Sequence, residues 1–277
     1  EIKGHAETPV LLLSLHAGRM EDMEVNRIVA MDIARRLTSG DYSVQTKAAE
    51  DLVGLITVTE TRQARCARQE ELGNIAELRT ALVDILTRGS DHGRYWGCIA
   101  LSYLMNDNAR NICLFSDETL GLFQGVEACL RMQQCQGVAC GLLSQLALGN
   151  VENSTRLCEM SGILESIALI MTNGRSMDKH AASCALSNFA ANGSALALKI
   201  IAVPHILEGL TNLCVQGRCR DGEFDARAGV SAIGCIDNLS FHTEVRPLLL
   251  EMNVVADILP LMHKGNASVW GEGSRVM

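Results

Sequence analysis

The chain has 277 residues, of which 48% are hydrophobic and only 4% aromatic, with 4 prolines. That composition supports a substantial core, excludes a disordered chain and favours helices over an all-β fold. A net charge of -8 and an isoelectric point near 5.4 oppose nucleic-acid binding, which needs a cationic surface to displace counterions from phosphates.

Along the chain, residues 1–40 read as an N-terminal cap with an incomplete unit, closing in "LTSG" (Leu37 to Gly40). Thereafter one helical run keeps returning: "AAEDLVGLI" (Ala48 to Ile56), "WGCIALSYLM" (Trp96 to Met105), "VACGLLSQLAL" (Val138 to Leu148), "AASCALSNFAA" (Ala181 to Ala191) and "SAIGCIDNLSF" (Ser231 to Phe241). Aligned on Asn188, the runs place Gly54, Tyr103, Gln145, Asn188 and Asn238 in one column, separated by 49, 42, 43 and 50 positions. The period is about 42 residues with two insertions of about seven, the signature of a repeat architecture.

A second marker precedes these runs: a helix ending in glycine, as in "LTRG" (Leu86 to Gly89), "MTNG" (Met171 to Gly174), "CVQG" (Cys214 to Gly217) and "MHKG" (Met262 to Gly265). Glycine there predicts a left-handed helix stop. "VENSTRLCEMSGILESIALIMTNG" (Val151 to Gly174) shows the remaining plan, a short helix, a small-residue turn and a middle helix. In "HTEVRPLLLEMNVVADILPLMHKG" (His242 to Gly265), Asn253 takes the place of Gly162. The first insertion, "TETRQARCARQEEL" (Thr59 to Leu72), has the charge pattern of a solvated helix. The second, "GRCRDGEFDAR" (Gly217 to Arg227), is polar; residues 218–225 are expected to form a loop that offers Arg218 and Arg220 as contacts.

These units resemble armadillo repeats, whose third helix carries an "ALSNL"-type run; "ALSNFA" and "CIDNLS" are the closest matches. The resemblance implies an all-α, right-handed superhelical solenoid of about five to six three-helix repeats with an atypical N-terminal cap. HEAT repeats, with two helices and no asparagine, are the alternative. A single domain would cover 1–277, with repeats over 41–265 and the start of a further helix over 266–277. It also implies a concave groove lined by third helices, with Asn188, Asn238 and Gln145 hydrogen-bonding the backbone of an extended partner, and Trp96, Tyr103, Cys184, Asn192 and His242 on the same face. Nuclear-import receptors of that family carry tryptophan four residues before the asparagine. Here that column reads Glu50, Ile99, Gly141, Cys184 and Gly234, which disfavours nuclear-localisation signals. Its small residues either leave room for a partner or permit tight helix packing.

The 11 cysteines sit mostly at apolar helical positions, as reduced thiols do. Cys98, Cys140, Cys184 and Cys235 are expected to be buried and Cys219 exposed. No C-x-x-C pair or histidine companion suggests a metal, and no catalytic motif accompanies the seven histidines. Cys184 stands four residues after His180 with no third group to orient the pair. The reading is a non-enzymatic scaffold without cofactor or metal, binding a protein or an extended peptide in a reducing, cytoplasmic compartment. Its apolar stretches, such as Pro9 to Leu15 and Leu198 to Leu207, are too short or too interrupted to span a bilayer, and no cleavable signal is apparent. A chain beginning at Glu1 is expected to lack a leading segment. The alternative function is therefore an adaptor acting by assembly or by peripheral membrane docking through a lipidated leader.

Overall fold

The computed structural model describes residues 19–58, 61–216, 226–254 and 256, and every regular element among them is helical. Helix α1 (Arg19–Leu37) pairs with α2 (Tyr42–Thr57). Four three-helix units follow: α3 (Arg62–Gly73), α4 (Ala76–Arg88) and α5 (Asp91–Met105); α6 (Ala109–Phe115), α7 (Leu122–Leu130) and α8 (Gln136–Ala147); α9 (Val151–Glu159), α10 (Ile163–Asn173) and α11 (Ser176–Ala191); α12 (Ser194–Ala202), α13 (Ile206–Gln216) and α14 (Ala226–Ser240). Helix α15 (Arg246–Glu251) opens another unit.

The third helices α2, α5, α8, α11 and α14 pack in succession, each on the next, and the middle helices α1, α4, α7, α10 and α13 form a parallel stack behind them. Between the stacks runs one continuous core, in which Leu52, Leu82, Leu101, Leu143, Ile167 and Phe189 are fully buried. A single helix with one apolar face cannot bury itself; stacking the units supplies the missing partner.

The turn into the middle helix is the repeat's most regular backbone feature. The residue before or at the start of the middle helix has positive φ in four units: Gly121 (74°), Gly162 (105°), His205 (70°) and Asn253 (55°). Glycine adopts this region freely, asparagine tolerates it, and His205 is strained there. Asn253 does stand in for Gly162, as the repeat alignment anticipates. In the Gly162 turn, Glu165 Oε2 accepts the Gly162 N–H at 2.9 Å, capping α10.

Two expectations are corrected. Gly89 and Gly174 end their helices in extended backbone, with φ of -69° and -68°, so no left-handed stop is made. What excludes a side chain is proximity: a Cβ would lie 2.5 Å from the carbonyl oxygen of Ile85 and 2.6 Å from that of Ile170. The charged segment 59–72 is also more than a solvated helix, because Gln69, Leu72 and Gly73 of α3 are buried. Gln69 donates to the carbonyls of Tyr103 and Asn106 at the end of α5. Helix α3 is thus the first helix of its unit, 12 residues long against 7 to 9 in α6, α9 and α12, and its length absorbs the wider spacing.

Two of the first helices, α6 and α9, share a device that the sequence alone does not announce. Asn108 and Asn150 cap α6 and α9, accepting from the backbone of Asn111 and Asn153 at 3.0 and 2.9 Å. Those two side chains in turn donate to Leu104 and Leu146 carbonyls at 2.8 and 3.1 Å. Each pair satisfies orphan groups at both the end of one helix and the start of the next.

Arg218 and Arg220, Cys219, the 218–225 loop and the 266–277 segment lie outside the described residues.

The third-helix face as candidate functional site

Stacking brings the aligned column residues side by side, and the amides link one unit to the preceding one. Asn188 Nδ2 donates to both the carbonyl oxygen and the hydroxyl of Ser144, each at 2.9 Å. Asn238 Nδ2 repeats this on Ser187, at 3.0 Å to the carbonyl and 2.8 Å to the hydroxyl. Gln145 Nε2 reaches Asn106 Oδ1 at 3.4 Å. All three residues are half-buried. The two protons of each asparagine amide are therefore engaged within the protein, whereas Oδ1 of Asn188 and of Asn238 accepts no hydrogen bond among the described residues. The amides do not stand idle with both ends free, as the repeat pattern by itself suggests. Ser144 and Ser187 were missed, although each directly precedes its column amide in "LLSQ" and "ALSN".

Four residues earlier, the small-residue column is open. A Cβ built on Gly141 or on Gly234 meets no heavy atom within 4 Å, so these glycines do not serve close helix packing. Between them, Cys184 is half-buried rather than buried, while Cys98, Cys140 and Cys235 lie in the core. Burial holds the Cys140 and Cys235 thiols as neutral S–H, with pKa values pushed well above the ordinary range.

Cys184 and His180 meet only through Ser231. Cys184 Sγ lies 3.5 Å from Ser231 Oγ, which is 2.8 Å from His180 Nδ1. The same ring nitrogen is 3.2 Å from the carbonyl oxygen of Arg227.

The remaining predicted site residues divide. Tyr103 is exposed. Trp96 is half-buried, packed against the core and edge-on to Tyr95 with ring centroids 5.8 Å apart. Asn192 Nδ2 is engaged three times, by Ala147 O, Ser154 Oγ and Asn188 O at 2.7, 2.7 and 2.9 Å. His242 Nε2 lies 2.8 Å from Ala190 O. Both therefore clamp one unit to the preceding one. Three exposed residues, Leu148, Ala191 and Phe241, follow the amides by three positions and edge the same face. Among the described residues, no group of three or more histidine, cysteine, aspartate or glutamate side chains is arranged to hold a metal ion.

No family model matches the sequence, and no curated protein does. Solved structures do match it. An engineered protein aligns with a TM-score of 0.74 at 19% identity, over 90% of this chain and 94% of its own. A designed armadillo repeat protein aligns with a TM-score of 0.70 at 19% identity, over 86% and 94%. Another, solved in complex with the peptide (KR)4, aligns with a TM-score of 0.71 at 18% identity, over 87% and 94%. The chain has the armadillo-repeat fold.

Proposed function

We propose that this chain is a non-enzymatic scaffold that holds an extended segment of a partner protein along the groove of its third helices, chiefly over α8, α11 and α14. The observation that carries this reading is the open space over Gly141 and Gly234 beside half-buried asparagines whose oxygens are unengaged. Neither oxygen is a buried atom without a partner, so both are open to water or to the N–H of an incoming segment. Gln145, Asn188 and Asn238 are the contacting amides in this proposal, Tyr103 and Cys184 flank them, and Asn192 and His242 hold the repeats in register. The designed armadillo protein solved with a bound peptide supports a peptide as the class of partner. The missing tryptophan column argues against a strongly basic one. Residence in a reducing, cytoplasmic compartment belongs to the same reading and is supported by seven buried free thiols among the described cysteines.

Selection of a displayed library of random linear peptides against the protein tests this. Binders should lose affinity when Gly141→Leu and Gly234→Leu fill the open face, at positions where a Cβ meets no heavy atom within 4 Å, with the helicity of the variants unchanged. Selection that yields only peptides indifferent to the filled face overturns the groove reading.

A further inference from the structure

Ser144 and Ser187 sit under the column amides, and their role is not given by the repeat pattern. Each hydroxyl oxygen accepts a proton from the asparagine of the following unit, at 2.9 and 2.8 Å. Neither hydroxyl donates to any acceptor among the described residues. A serine hydroxyl has one proton to give as well as lone pairs to receive, and the paired asparagine keeps only its oxygen. Every rung is thus composed of two residues from adjacent repeats: an asparagine oxygen that can accept and a serine proton that can be donated. Both side chains of each rung are half-buried, so water reaches them only from the open side.

We infer that Ser144 with Asn188, and Ser187 with Asn238, form two composite binding sites, each of which takes the N–H and C=O of one residue of an extended segment, two groups that face the same side of the chain. The partner's N–H donates to asparagine Oδ1, and its C=O accepts from the serine hydroxyl. This rests on the groove reading above and goes further by naming the serines as the donor half. The asparagine donors are held by the serine carbonyl as well as by the hydroxyl, at 2.9 and 3.0 Å. Removing a hydroxyl therefore leaves its asparagine anchored. A proline in the partner opposite either rung lacks the N–H, so the site selects against it.

The test uses a peptide from the library that is lost on the filled face, titrated against the full chain. Ser144→Ala and Ser187→Ala should each weaken it by roughly twofold to tenfold, the worth of one hydrogen bond. Ser144→Thr and Ser187→Thr should restore binding, and the alanine variants, which also lose the internal bond from asparagine, should unfold only slightly before wild type. A thioamide scan of the peptide, which keeps each N–H but weakens the acceptor, should find one position per rung whose loss disappears in the matching alanine variant. A peptide that the filled face excludes but that binds the alanine variants as it binds wild type overturns the composite site and leaves the groove standing. If no peptide is excluded by the filled face, both readings fall.

Discussion

Asn192 donates its side-chain amide across a repeat boundary to the carbonyl oxygen of Ala147, 2.7 Å away. Ala147 ends α8, so this carbonyl lies outside the helix ladder, where it also accepts the backbone N–H of Asn150 at 3.1 Å. One unit later the same place is held by His242, 2.8 Å from the carbonyl oxygen of Ala190. An amide and an imidazole perform the same capping task. His242→Asn should therefore keep the unfolding midpoint near wild type, while His242→Ala lowers stability by about 1 kcal/mol. Asn192→Ala removes two donated protons that serve three acceptors and should cost about 1–3 kcal/mol. Chemical denaturation of the three variants checks this, and an unchanged midpoint for His242→Ala would break the equivalence.

Two glycines of α8, one turn apart, should respond to alanine with opposite signs. At Gly137 a Cβ would lie 2.5 Å from Asp178 Oδ1. Asp178 is 1% exposed and paired with Arg175 at 2.7 and 3.0 Å, so it has little room to retreat. Gly137→Ala should destabilise by about 1–3 kcal/mol. At Gly141 nothing is met, and Gly141→Ala should stabilise by about 0.5–1 kcal/mol through helix propensity. Unfolding midpoints of the two variants give the comparison; equal signs would refute it.

His205 occupies the turn position that glycine or asparagine fills elsewhere, at φ 70°. Its ring lies 3.1 Å from Glu208 on an exposed surface, a contact of small worth. Relief of backbone strain should prevail, so His205→Gly raises stability by about 0.5–1 kcal/mol. A lowered thermal midpoint would show that the imidazole contact outweighs the strain.

Thiol chemistry should follow burial. Cys113 is exposed and Cys66 and Cys184 are half-buried, so these react first with a mild alkylating reagent on the native protein. Burial pushes the Cys158 and Cys214 thiols up to about 12, against about 8.5 in an unfolded chain. Between those values the unfolded state loses protons that the native state keeps, so stability falls as pH rises. Each such thiol contributes a slope of about 1.4 kcal/mol per pH unit there. Stability measured from pH 8 to 11 should decline, and the decline should be shallower in Cys158→Ala/Cys214→Ala. An identical slope in that variant would contradict the assignment.

The repeat was legible because one helix face recurs: a column such as Gly54, Tyr103, Gln145, Asn188 and Asn238 needs only periodicity to be found. Side-chain roles were less legible, since they depend on a residue one repeat away. Asn188 reads as a free amide until Ser144 is placed beside it, and Asn192 reads as a groove residue until Ala147 O is. The glycines of "LTRG" and "MTNG" suggested a backbone angle, but the constraint was a carbonyl four residues earlier. His205 was hidden for the opposite reason: its turn is imposed by the stack, against the residue's own preference.

Because every rung donates toward the preceding unit, unravelling from the two ends is not equivalent. Loss of α14 would leave the Ser187 carbonyl and hydroxyl facing water, which solvates them readily. Loss of α8 would instead strip Asn188 of both acceptors and Asn192 of Ala147 O, leaving donors half-enclosed on a helix still docked to its other neighbour. Fraying is therefore cheaper from the C-terminal side, and amide exchange in α14 should run ahead of exchange in α8.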